Sequence, residues 1–303
     1  MANLEHLHQL QKGAVSWLSW RNANPNILPD LSEADLEQVN LRGANLQAVN
    51  LNQANLEKAK LIAANLCDTH LRLANLSNAE LMEAQLVKAD LCGANLKRAN
   101  LREANLNYAD LMGADFQGGN FTAADFHAAN LSKISLFQAT LKNADLSQTN
   151  LHHSNLGEAD LDKANLSESN LSYANLNEAE LINAFLYRAN LSHASLIGTH
   201  LNKAYLAGAN LEDTNLQFAD LRWANLTKAN LERANLERAN LRGANLQKAN
   251  LQGANLSQVN LRGANLSQVN LRGANLQNAN LTRANLRNAN LKGTIMPNGT
   301  IHP

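Results

Sequence analysis

From Leu31 to Leu291 an apolar residue recurs at every fifth position without a slip. Of these 53 positions, 50 are Leu and three are Phe: Phe116, Phe121 and Phe126. Two residues before each stands a small residue, usually Ala, and one before usually stands Asn or Asp, so the unit reads A-(N/D)-L-x-x. A fixed period this short excludes the ordinary elements. Five residues of α-helix turn about 500°, a net of about 140°, so the leucines would spiral around the helix and share no face. In a flat strand, leucines five apart point to opposite sides. A chain that turns a corner every five residues aims all of them, and the small residue beside each, at a common axis. Such a chain coils, its coils stack about 4.7–4.9 Å apart, and the stack is cooperative and needs capped ends.

The repeated A-(N/D)-L-x-x unit, which covers 265 of 303 residues, resembles the pentapeptide repeat family. The resemblance implies an all-β fold, a right-handed quadrilateral β-helix with four units per coil. It places the Leu or Phe and the small residue inside and the other three positions outside. Fifty-three units then make about 13 coils, about 60–65 Å of rod at that spacing. Residues 1–27 are expected to form an N-terminal helical cap, 28–295 the β-helix and 296–303 a C-terminal capping segment. In the cap, Leu4, Leu7, Leu10, Ala14, Trp17 and Leu18 fall at helical spacing and Asn24-Pro25 ends the helix. Trp17 and Trp20 read as cap core. The ending GTIMPNGTIHP resembles the last coil of cyanobacterial members, with Pro297 and Asn298-Gly299 closing the array.

The chain offers no recognisable chemistry. It lacks a phosphate loop, a nucleophile elbow, a dinucleotide fingerprint and a zinc-protease motif. No cofactor and no metal site are expected. His153 and His193 share a surface column, but they lie two coils apart with Tyr173 between them, too far to share an ion. They read as a solvated stack. Cys67 and Cys92 fall at outward positions and read as reduced surface thiols of a cytoplasmic protein. No apolar run is long enough to span a membrane, and the N-terminus lacks a signal-peptide core. The Asn before each leucine reads as scaffold, stacked amides forming ladders.

Function should therefore sit on outward positions that depart from the repeat. The position before leucine becomes aromatic at Phe185 and Tyr205, one coil apart, with Ile182, Tyr187, Ile197, Phe218 and Trp223 nearby. Aromatic residues gathered on a surface mark interaction sites. Charge is also uneven. The total is 26 basic and 26 acidic residues, yet 151–220 hold nine Asp/Glu and three Lys/Arg, whereas 221–303 hold eleven Lys/Arg and two Glu. Arg222, Arg242 and Arg262 form one column. The reading is a non-enzymatic rod presenting surface patches to an unidentified protein partner, as a monomer or weak dimer. Nucleic acid and membrane are not expected as partners. The alternative comes from the resemblance: some family members protect DNA gyrase as acidic mimics of duplex DNA. Neutral net charge speaks against it here.

Overall fold

The computed structural model describes all 303 residues, which fall into two compact units, Met1–Asn150 and Leu151–Pro303. In each, residues twenty apart pair in parallel, as in Asp30↔Asn50 and Asn50↔His70 of the first and Asn155↔Asn175 and Asn175↔Ser195 of the second. Twenty residues are four repeat units, so each coil has four sides. One bonding scheme recurs. The Leu51 N–H donates to the His70 carbonyl of the next coil (2.7 Å), and Asn55 N–H donates back to Ala34 (2.9 Å). The Ala54 N–H closes a turn on Leu51 (3.1 Å). The residue two after each leucine has positive φ, from Glu33 at 60° to Asn288 at 58°, as the third position of a type II turn requires.

Continuous strands do not form. Each side contributes one bridged residue between turns, because five residues that include a corner leave too little extended backbone for a ladder. The β character expected from the repeat is thus a lattice of parallel bridges between coils.

The inward columns are as the period requires. Leu31 through Leu276 are essentially inaccessible, and so are the small residues beside them. Where the small residue is polar, its hydroxyl finds a carbonyl: Thr69 Oγ1 donates to Leu46 (3.1 Å) and Ser154 Oγ to Leu151 (2.6 Å). Buried polar groups satisfied in this way cost the core little. The Asn column does two jobs. Asn250 Nδ2 donates to Asn230 Oδ1 (3.0 Å) and Asn270 Nδ2 to Asn250 Oδ1 (2.9 Å). The same oxygens accept from the backbone two residues on, as Asn270 Oδ1 does from Arg272 N–H (3.2 Å).

Phe116 and Phe121 stack at 4.7 Å between centroids, and Phe121 and Phe126 meet at 5.8 Å. Extra room comes from volume and not from a bent backbone. Gly118 has the same left-handed φ (65°) as neighbouring turns, while a Cβ on Gly119 would lie 2.7 Å from the Phe121 ring. Gly119 occupies the small inward position, and the missing methyl is the space the ring uses.

The N-terminal cap is two helices, α1 (Leu4–Gln11) and α2 (Ala14–Ala23), where one was expected. Gly13, at φ 97°, separates them and breaks the helical phase. Of the expected apolar face only Leu10 and Trp17 are buried, and Leu4 is 81% exposed. The cap covers the open edge of the first coil. Its Asn3 N–H donates to the Asp30 carbonyl (2.9 Å), Trp17 Nε1 to Asn45 (2.7 Å) and Arg21 Nη2 to Gln47 (2.9 Å). In later coils the equivalent carbonyls accept from the coil before. At the other end, Gly293 N–H donates to His302 (2.8 Å), and Ile295 pairs antiparallel with Ile301. That segment covers one side only, and Leu281, Leu286 and Leu291 are half-buried. No helix is long and apolar enough to cross a membrane.

Candidate functional site

The surface of unit 2 is made of outward positions held rigidly by the coils beneath. Phe185 and Tyr205 bridge directly, and their rings stack face to face, 5.1 Å between centroids and 8° between planes, both about half exposed. The other outward residues of interest do not join this pair in one cluster. Tyr187, two residues along from Phe185, lies beneath the Arg188 guanidinium (5.0 Å). Trp223 lies over Gly243 on the next coil, where a Cβ would come within 2.4 Å of the indole. Phe218 sits beneath Arg238 (5.8 Å), and Ile182 and Ile197 are half-buried.

The arginine column is less uniform than its spacing suggests. Arg222 is held by Asp220, Nη2 to Oδ2 at 2.6 Å, and Asp220 in turn accepts from Asn202 (2.8 Å). Burial pushes the Asp220 carboxyl up, but bonds from Arg222 and Asn202 outweigh it and hold the group below the usual carboxylate range. Arg242 and Arg262 are exposed and make no ion pair. Arg233, on another side, is shared among Glu212, Asp213 and Glu232.

The histidine stack is as expected: Tyr173 lies 5.0 Å from His153 and 4.7 Å from His193, with His152 against His153 at 4.2 Å. The thiols differ from expectation. Cys67 is half-buried, but Cys92 is buried, because its outward position is roofed by its neighbours. Its sulfur lies with carboxylate oxygens of Asp90 and Asp110, all within 4.8 Å of one another. Those carboxylates are engaged, Asp90 by Arg72 (3.1 Å) and Asp110 by Asn130 (2.8 Å). Burial first, then bonding to Asp110 and Asp90, pushes the Cys92 thiol up to about 12 from 9.0. The protonated thiol therefore acts as a donor between two acceptors. A raised folded-state value contributes stability below about pH 9 that is lost as pH climbs toward 12. At pH 8, iodoacetamide should modify Cys67 and spare Cys92 until the chain is unfolded; mass spectrometry of the labelled peptides reads the difference. Rapid modification of native Cys92 would refute the placement.

The pentapeptide repeat profile, an eight-copy pattern, matches overlapping segments that run without a gap from residue 30 to residue 298. The chain belongs to the pentapeptide repeat family. Membership implies the right-handed β-helix, and the four-unit coils of both units fit it. Among solved pentapeptide repeat structures, the chain is 38% identical to HetL, involved in heterocyst differentiation regulation in the cyanobacterium Nostoc sp. strain PCC 7120. That match covers 75% of this chain and 91% of HetL, with a TM-score of 0.30. A pentapeptide repeat protein of the Arabidopsis thaliana thylakoid lumen is 35% identical over 34% of this chain and 68% of its own, TM-score 0.26. The plasmid-mediated fluoroquinolone resistance protein QnrB1, in a trypsin-treated form, is 17% identical over 70% and 88%, TM-score 0.30. No curated protein matches the chain. The family pattern specifies the core of this pentapeptide repeat protein and says nothing of its outward residues. Three features of that surface carried no signal in the repeat: the Asp220 partner of Arg222, the Gly243 platform under Trp223 and the roof over Cys92. Trp223 over Gly243 and the Asp110 side of the Cys92 roof join residues about one coil apart and become visible only once coils are stacked, whereas Asp220 and Arg222 lie two residues apart in one coil.

Proposed function

We propose that this is a non-enzymatic, cytoplasmic interaction protein whose second unit presents the Phe185–Tyr205 pair, flanked by Tyr187 and Trp223, to a protein partner. One observation carries the reading. At almost every other unit the residue before leucine is polar, and where it is Asn or Asp its side chain closes a turn, joins the amide ladder, or both. At Phe185 and Tyr205, two coils in a row, those bonds are replaced by half-exposed stacked rings. Folding does not require the exchange, since Asn at this position serves the coil. Stacked aromatic rings held on a stiff backbone lose little entropy on binding and are common anchors of interfaces. A regulatory role in a cyanobacterium belongs to the same proposal and rests on the resemblance of the C-terminal coil. The gyrase-directed mimic is set aside, because residues 238–303 hold eight Lys/Arg and no Asp/Glu.

The test separates folding from function. In a Phe185→Asn, Tyr205→Asn variant the lost stacking, worth about 0.5–1.5 kcal/mol, is offset by restored hydrogen bonds of about 0.5–1.5 kcal/mol each. Stability should stay within about 1 kcal/mol of the parent by denaturant titration. Affinity capture from source-organism extract should then yield a protein retained by the parent and lost by the variant. Equal retention by both would remove these rings from the site.

A further inference from the structure

One side of unit 2 is built from the outward residues on either flank of Leu161, Leu181, Leu201, Leu221, Leu241 and Leu261. Its rows are tied one above another by the bridges Asp160↔Glu180, Glu180↔His200, His200↔Asp220, Asp220↔Asn240 and Asn240↔Asn260. Charge along this side inverts about its middle. The first two rows carry Asp160, Asp162 and Glu180 against a single Lys163, and the last two carry Arg242 and Arg262 with no acid. The central rows hold Lys203 in the third and the Asp220–Arg222 pair with Trp223 in the fourth.

We propose that this side is an interface with a second copy of the same chain, laid face to face and antiparallel about a two-fold axis between the His200 and Asp220 rows. A two-fold axis lying along the row direction reverses the order of rows and keeps each column opposite itself. The register then follows from numbering alone. Arg262 faces Asp162. Arg242 faces Ile182, along which its aliphatic stem can lie, with its head toward Glu180. Lys203 faces Trp223, a pairing of ammonium and indole. Gly263 and Gly243 stand opposite Lys163 and Asn183, so the bulkier side chain of each pair meets an empty position. Every opposed charge meets its opposite or a neutral group, and each contact occurs twice.

Local partners do not remove these charges. Arg242 and Arg262 are exposed without an ion pair, and Lys163 lies at the 3.9 Å limit from Asp162. Glu180 is bonded by His200 (2.7 Å) and remains substantially exposed. Six rows at about 4.8 Å and a side about 10 Å wide give a face of roughly 300 Å². That is well below the ~800 Å² per partner of a standard interface. The dimer is therefore weak, held by charge and sensitive to salt. Phe185, Tyr205 and Tyr187 lie on the adjoining side and only Trp223 is common to both surfaces, so the proposal goes beyond the partner-binding reading and does not depend on its stacked pair.

Sedimentation equilibrium of the full chain decides it. The parent should dimerise at tens of micromolar in about 20 mM salt and be monomeric in about 0.5 M. Asp162→Arg and Arg262→Asp should each weaken association tenfold or more. Mixing these two single variants should restore a dimer, because the introduced arginine meets the introduced aspartate on one side of the axis while the native Arg262 and Asp162 meet on the other. The double variant Asp162→Arg, Arg262→Asp should self-associate like the parent. Both positions face outward, Arg262 exposed and Asp162 half-buried, and circular dichroism verifies folding. The Phe185→Asn, Tyr205→Asn variant should dimerise normally, which keeps this result distinguishable from loss of the other partner. A parent that stays monomeric at about 200 μM in low salt overturns the proposal. So does failure of the mixed variants to pair, or binding of heparin by the Arg242–Arg262 rows without self-association.

Discussion

Deleting the single residue Lys228 should abolish the cooperative melt of unit 2, whereas deleting the twenty residues Leu251–Asn270 should leave it nearly unchanged. Lys228 is an exposed turn residue with φ 59°, and in most folds its loss would be minor. Here each coil must match the one before it residue for residue at a spacing of twenty. One residue fewer sets Leu231, Leu236, Leu241 and Leu246 a step out of line with the coil beneath, opposite outward columns. At roughly 2 kcal/mol for each leucine driven from the core, displacing two or three costs about 4–6 kcal/mol, comparable to the stability of a small domain. Lost bridges between coils add to it. The twenty-residue deletion removes one coil and joins Asn250 to Leu271 in phase, so every remaining leucine keeps its column. Thermal unfolding followed by circular dichroism distinguishes them. A single-residue deletion that melts as sharply as the parent would show that a corner can absorb a missing residue, and the register argument would fail.

Trp17→Ala should destabilise unit 1 by about 3–5 kcal/mol, the range for removing a large buried aromatic side chain. The indole is fully buried and stacks on Trp20 at 5.2 Å, and its Nε1 is the donor that the Asn45 carbonyl would otherwise lack. Its removal leaves both a cavity and an unpaired carbonyl at the first coil edge. Hydrogen exchange should rise first in α1, α2 and the coil of Leu31–Asn50, and the bared edge should promote association between chains. The half-buried Trp20, substituted by Ala, should cost distinctly less. Equal losses at both positions would contradict the placement of Trp17 as the keystone of the cap.

The cap also shows where reading residues stops short. Helical spacing across residues 4–18 was visible, but α1 and α2 meet at Gly13, whose φ of 97° breaks the phase. A glycine inside an apolar pattern does not by itself say whether the chain bends there. Cys92 makes the same point on the surface. Its position in the unit is outward, and burial came from Asp90 and Asp110 closing around it, one of them a coil away. The Phe185–Tyr205 stack, in contrast, was legible, since a spacing of twenty residues puts two side chains in one column.

What the amino-acid order determined alone was the core. A leucine at every fifth place, with a small residue two before it, admits a coil that turns a corner every five residues and little else, because only such a chain brings all of them to one axis. That each coil has four corners was implied by the family resemblance and is seen in the pairing of residues twenty apart. The tertiary structure decided everything that depends on contact between coils and at their ends. It turned the expected β character into single bridges and set Asn202 on Asp220 from the coil before. It laid Trp223 over Gly243, hid Cys92 and gave the edge carbonyls of the first coil their donors. Periodicity is a property of one chain segment repeated, so it can be read along the chain. Side-chain partners on a stacked surface depend on which of several neighbours a long side chain reaches, and that choice is made by packing in three dimensions.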